Sequence, residues 1–232
     1  MGKDVIVACD FATAEQTFAF LDRFTGKKPF VKIGMELFYA KGPQIVREIK
    51  KRGHRIFLDL KLHDIPNTVK KAMAVLSALD TDIVNLHAAG TTAMMEAALE
   101  GLTRPDGTRP LLIAVTQLTS TDQQSMERDL LIREPMDQVV MHYARTARDA
   151  GLDGVVCSPL EADKVHQVCG ESFLTVTPGI RFDDSSKGDQ KRVTTPADAR
   201  RIGSDYIVVG RPITAAEDPV AAYERCMRDF VD

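Results

Sequence analysis

The chain reads as a single (β/α)8 barrel, a TIM barrel spanning residues 1–232, and three observations predict it. Eight short apolar runs each give way to a segment with helical periodicity, the alternation that builds a parallel sheet with helices outside it. No linker, low-complexity segment or evident internal repeat interrupts the sequence. Its 232 residues suit one closed barrel, which typically takes about 250 residues and runs down to about 200. Two doubly wound domains would be cramped in that length.

Residues 3–10 form the first strand, apolar from Val5 to Cys9 and ending in Asp10. Thr13 then offers the side-chain oxygen an N-cap needs, and a helix runs to about residue 24. The second strand, 29–34, carries Lys32 in its middle. The helix after it has Ile45, Val46 and Ile49 on one face and stops at Gly53, which accepts the backbone conformation of a helix end. In the third strand, 56–62, Ile56, Leu58, Leu60 and Leu62 alternate with Phe57, Asp59 and Lys61. Period two puts Asp59 and Lys61 on one face, about 6.5–7 Å apart. A helix over 68–78 follows, then the fourth strand at 82–87, ending in His87, and a helix over 91–102. The fifth strand, 111–116, runs into Gln117-Leu118-Thr119-Ser120-Thr121 ahead of a strong helix at 136–150. The sixth strand, 154–157, precedes a helix over 160–168. The seventh, 173–176, leads to Pro178-Gly179-Ile180-Arg181 and a polar run at 182–193. A helix over 196–202, the eighth strand at 206–209 and a helix over 220–230 complete the pattern.

Composition removes several classes. A net charge of −3 provides no basic field for nucleic acid. No apolar run approaches the roughly 18 residues of a membrane span, and no basic-then-apolar leader opens the sequence. Cys9, Cys157, Cys169 and Cys226 have no C-x-x-C spacing and read as buried or incidental thiols, which fits a cytoplasmic, reducing location. The sequence holds no H-E-x-x-H, no metal-spaced Cys/His cluster, no G-x-S-x-G, no P-loop and no G-x-G-x-x-G. His54, His63, His142 and His166 read as ordinary core or surface residues. The chemistry is therefore expected from charges and a proton donor.

The strand ends supply those charges. In a parallel barrel the C-terminal ends face one mouth, where such proteins place their chemistry. Asp10 follows from the first strand, Lys32 from the second, Asp59 and Lys61 from the third, and Asp64 from just beyond it. A single D-x-K at a strand end reads equally well as an exposed ion pair worth about 0–1 kcal/mol. Four charges of alternating sign on three adjacent strands read differently. Buried singly they would cost several kcal/mol each, and apolar residues would stabilise as well or better. An ammonium held between carboxylates favours its charged form, which suits Lys61 to giving a proton rather than to acting as a base or Schiff-base amine. Pro178-Gly179-Ile180-Arg181 and Gly210-Arg211-Pro212-Ile213 follow strands seven and eight, the usual phosphate cradle of this fold. Alone, Gly210 would be a helix cap and Arg211 a surface residue; together they point to phosphate, with Arg211 holding its oxygens. The polar run 182–193 reads as a lid from which Lys187, Gln190 and Arg192 reach the phosphate, or else as a solvated loop.

Asp59-x-Lys61-x-x-Asp64-Ile65-Pro66-Asn67-Thr68, with the two cradle segments and Thr116-Gln117-Leu118-Thr119-Ser120, closely resembles the orotidine 5′-monophosphate decarboxylases, and the likeness runs over essentially the whole chain. D-x-K-x-x-D alone is shared with related sugar-phosphate decarboxylases and aldolases; the Ile-Pro-Asn-Thr and Pro-Gly-Ile-Arg segments carry the narrower likeness. The resemblance implies loss of CO2 from orotidine 5′-phosphate to give uridine 5′-phosphate, the last step of de novo pyrimidine synthesis, without a cofactor. It implies catalytic roles for Lys32, Asp59, Lys61 and Asp64. Substrate contacts fall to Asp10, Lys32, Thr68, Thr119, Pro178, Arg181, Gln190, Gly210 and Arg211. It also implies a homodimer in which Asp64 and Thr68 reach the partner's site. The competing readings are a metal-dependent 3-keto-hexulose-phosphate decarboxylase or synthase of the same suprafamily, and a non-catalytic barrel that binds a phosphometabolite.

Overall fold

In the computed structural model, which describes residues 3–182 and 194–232, the strands are β1 (Asp4–Ala8), β2 (Phe30–Gly34), β3 (Ile56–Leu62), β4 (Ile83–His87), β5 (Leu111–Val115), β6 (Gly154–Val156), β7 (Leu174–Thr177) and β8 (Tyr206–Val209). They pair in that order, all parallel, and β8 closes on β1. Helix α1 (Ala14–Leu21) follows β1, α2 (Met35–Lys41) and α3 (Gln44–Lys51) follow β2, α4 (Pro66–Ser77) follows β3, and α5 (Thr91–Leu102) follows β4. After β5 come α6 (Gln123–Asp129) and α7 (Met136–Asp149), after β6 α8 (Ala162–Cys169), and after β7 α9 (Pro196–Ile202). Single-turn α10 (Arg211–Thr214) and α11 (Pro219–Phe230) follow β8. The (β/α)8 barrel expected from the alternation is the fold observed.

Period-two alternation separates two cores. Ile6, Phe30, Phe57, Ile83, Ile113, Val176 and Tyr206 fill the barrel interior. Val5, Val7, Val31, Leu58, Leu60 and Val84 face outward into a larger core shared with the helices. This is why strands buried on both faces read as nearly continuous apolar runs. Helix starts follow their caps: Thr13 accepts from the N–H of Gln16 at 3.2 Å, and Asp218 from Val220 and Ala221.

Four local expectations need correction. β1 stops at Ala8, so Asp10 lies two residues beyond it. Strand seven is shifted one residue, to Leu174–Thr177. Helices α2 and α6 carry no apolar stripe, burying only Leu37 and Met126 respectively, so periodicity misses them. The Asp122–Ser125 capping box was the legible sign of α6. Finally, a single turn opening at Arg211 precedes the last helix, where the sequence pattern shows only the helix over 220–230 after the eighth strand.

Candidate active site

The third strand sets the geometry. β3 pairs in regular register with β4 up to Leu58↔Val84, and pairing resumes only at Leu62↔Leu86, so β3 spends four residues where β4 spends two. Lys61 lies inside this bulge with φ +51°, a left-handed conformation that costs an L-residue roughly 1–2 kcal/mol. The strain re-aims the side chain at the mouth, as bulges beside functional sites do.

The four charges form one chain. Lys32 Nζ lies 2.9 Å from Asp10 Oδ1 and 3.3 Å from Asp59 Oδ2. Lys61 Nζ donates to Asp59 Oδ1 at 2.6 Å. Asp59 and Lys32 are largely buried, Lys61 half-buried and Asp10 exposed. Burial opposes the charge on Asp59, but Lys32 and Lys61 outweigh it and hold the carboxyl below its ordinary range. Burial likewise opposes the Lys32 ammonium, and the Asp59 and Asp10 carboxylates more than compensate, raising its pKa. Gly34, at the end of β2, leaves room for this pairing: a Cβ there would lie 3.2 Å from Asp10 Oδ1.

Two recesses meet at Lys32, Pro178 and Val208. One, of about 260 Å³, is lined by Phe57, Asp59, Lys61, Gln117, Thr119 and Ser120 among others. The second, of about 270 Å³, is lined by Asp10, Gly179, Arg181, Gly210 and Arg211. Gly179, which lines this recess, sits at φ +84°, a conformation that glycine adopts without steric cost. A larger hollow of about 710 Å³ opens among the outer helices, against Tyr143, Arg145 and Lys164, away from the strand ends.

The structure therefore brings together Asp10, Lys32, Asp59, Lys61, Thr119, Pro178, Arg181, Gly210 and Arg211. Asp64 and Thr68 are exposed and line neither recess; Asp64 Oδ1 accepts from the N–H of Ile65 at the start of α4. Lys187, Gln190, Arg192 and the 183–193 part of the expected lid lie outside the described residues. Two features escaped the sequence reading. Asn85 is buried among the charges and bonds Asp59; a polar residue at an inward position of an apolar strand was its visible signal. The second is a ring contact: His63, exposed just beyond β3, lies with its ring 5.8 Å from that of His87. Burial, then the nearby His63 and Lys61, lower the His87 pKa.

Fold and site together define a (β/α)8 barrel with a buried ion-pair chain at its mouth and an arginine-bearing recess beside it. Residues 3–226 match the model of the Orotidine 5′-phosphate decarboxylase / HUMPS family, and the chain belongs to that family. It is 55% identical over 233 aligned residues to an orotidine 5′-phosphate decarboxylase of Geobacillus sp. (strain WCH70), covering 99% of this chain and 98% of that protein. It is also 55% identical to one from Bacillus cytotoxicus, over 97% of this chain and 95% of the relative. The crystal structure of orotidine 5′-phosphate decarboxylase from Lactobacillus acidophilus superimposes with a TM-score of 0.88 at 42% identity, covering 99% of this chain and 100% of that one.

Proposed function

We propose that the protein decarboxylates orotidine 5′-phosphate to uridine 5′-phosphate in pyrimidine synthesis, directly and without a cofactor. The observation that carries this reading is the Asp10–Lys32–Asp59–Lys61 chain at the junction of the two recesses. The pyrimidine and its carboxylate occupy the recess lined by Lys61 and Thr119, and the phosphate takes the one lined by Gly179, Arg181, Gly210 and Arg211. The bond from C6 to the carboxylate breaks, CO2 leaves, and the electron pair stays at C6 in the ring plane. Lys61 stabilises that charge and delivers a proton to C6. Asp59, ionised by its neighbours, repels the substrate carboxylate more than the transition state, from which neutral CO2 departs. Lys32 holds Asp59 and a ribose hydroxyl, and Asp10 a second hydroxyl. The phosphate takes no part in the bond changes, so binding it supplies energy that offsets strain at C6.

Two copies of the chain complete the site, with Asp64 and Thr68 of each reaching into the other. Their exposure supports this, as does exposed apolar surface at Met35, Tyr39, Ile65 and Leu118, all following strand C-terminal ends. The side chains of Cys9, Cys157 and Cys226 are buried, which fits a cytoplasmic setting.

The test is loss of orotidylate absorbance with purified protein, with and without excess chelator. Conversion to uridine 5′-phosphate that ignores chelator is the expected result. Conversion that chelator stops would overturn the cofactor-free mechanism. No conversion would sink the reading and favour the sugar-phosphate branch.

A further inference from the structure

We infer that Asn85 is a positioning residue that fixes both ends of the Asp59-x-Lys61 unit; the inference rests on the roles proposed for those two residues. Asn85 is 1% exposed, on β4, at an inward position between Ile83 and His87. Its Nδ2 donates to Asp59 Oδ1 at 2.7 Å. Its Oδ1 accepts from the backbone N–H of Lys61 at 2.8 Å. The orientation of the amide is forced, because an ionised carboxylate only accepts and a backbone N–H only donates.

The two bonds solve two problems created by the bulge. With the β3–β4 ladder interrupted between Leu58 and Leu62, the Lys61 N–H needs a partner, because a buried N–H without one has given up its bond to water and gained none in return. The Asn85 carbonyl replaces the missing strand and pins Lys61 at φ +51°. At the other end, Asp59 Oδ1 receives Lys61 Nζ and Asn85 Nδ2 while Oδ2 faces Lys32. The carboxylate plane is thereby fixed, and with it the direction of the Lys61 ammonium. An apolar residue at position 85 would supply neither bond, and aspartate would supply only the acceptor.

Asn85→Leu and Asn85→Asp separate positioning from packing. In Asn85→Leu, kcat should fall on the order of 10²-fold, the usual effect of a reacting group displaced by about 1 Å, while affinity for uridine 5′-phosphate stays within about threefold. In Asn85→Asp the new carboxyl keeps the acceptor for Lys61 N–H but can donate to Asp59 only when protonated. Two carboxyls in contact hold a shared proton well above the ordinary carboxylate range. Around this pair stand Lys61 and His63 from β3 and its end, Lys32 from β2, Asp10 beyond β1 and His87 on β4. Activity of Asn85→Asp should therefore recover toward the parent as pH falls and drop as pH rises, a limb absent from the parent and from Asn85→Leu. Near-parental kcat in Asn85→Leu overturns the inference; should that variant not fold, an Asn85→Asp profile without acid recovery overturns it. Lys61→Ala is assayed alongside. Activity in Lys61→Ala overturns the parent reading and this inference together, whereas an inactive Lys61→Ala with an unaffected Asn85→Leu overturns this inference alone.

Discussion

The two ends of the barrel both set aspartates beside cations, and they use them in opposite ways. At the floor, Asp82, Asp153 and Asp205 stand immediately before β4, β6 and β8 and reach sideways. Their carboxylates accept the N–H of Ile56, Leu112 and Thr175 at 2.8, 2.7 and 2.8 Å, near the starts of β3, β5 and β7. Each has basic partners too: Lys50 and Arg55 for Asp82, Arg109 for Asp153 and His166 for Asp205. Charge there completes the strand ladder. At the mouth, Asp59 is held by the side chains of Lys32, Lys61 and Asn85, and the ladder beside it is broken. The floor uses charge to hold backbone pairing, and the mouth gives up pairing to hold charge. Substitutions at the floor should cost stability and spare turnover; those at the mouth should do the reverse.

Lys61→Ala makes the sharpest contrast. Removing the proposed proton donor and the charge that stabilises the carbanion should lower kcat on the order of 10⁴-fold or more. Asp59 keeps Lys32 and Asn85 as partners, so the variant should stay folded and bind uridine 5′-phosphate. Near-normal turnover would remove Lys61 from the chemistry; an unfolded protein would make the mouth as structural as the floor.

Arg211→Ala divides the mouth itself. The loss of a charged partner for the phosphate should weaken uridine 5′-phosphate binding about 10- to 100-fold and leave uridine binding nearly unchanged. Titration calorimetry with both ligands decides it. Equal losses would place the phosphate site elsewhere.

The contrast also explains what could be read from the sequence. The barrel was legible because inward and outward positions on eight strands are both apolar, and each strand is followed by helix. The charge chain was legible because Lys32, Asp59 and Lys61 interrupt runs that a buried strand fills with Val, Ile or Leu. Strand alternation predicts that Asp59 and Lys61 share a face, but not the left-handed residue and lost register that bring Lys61 Nζ to 2.6 Å from the carboxylate. Asn85 was missed because its role exists only across the β3–β4 junction, 26 residues from Asp59. The floor device was missed for the same reason, although Asp82-Ile83-Val84, Asp153-Gly154-Val155 and Asp205-Tyr206-Ile207 repeat a short pattern.

Asp153→Ala tests the floor. Arg109 donates to both carboxylate oxygens, and Leu112 N–H shares one of them. Its loss should destabilise by about 2 kcal/mol, lowering the melting temperature by roughly 4–8 °C in a chain this size, with kcat unchanged at temperatures where the protein is folded. A kcat loss without a change in melting temperature would erase the distinction between the two ends.

The smallest effect is a pH dependence at the same end. The hydrogen bond to Asp205 raises the His166 pKa, burial opposes the rise, and the Asp205 charge adds to it. A raised folded value means that the stabilisation is whole below about 6.5, the ordinary value, and is lost as pH climbs through the folded one. Burial works against the Asp205 charge, but the His166 and Thr175 bonds hold that carboxyl below its ordinary 3.8, so its share is lost only in acid, as pH falls through the folded value. The pair therefore stabilises most between those limits, and melting temperature should decline on the alkaline side. His166→Gln keeps a donor for Asp205 without titrating. It should lower the melting temperature near pH 6 by roughly 2–4 °C, equivalent to about 1 kcal/mol, and flatten the decline between pH 6 and 9. If the slope persists in the variant, the alkaline loss comes from another group, and the floor at β8 is held by Thr175 and backbone rather than by charge.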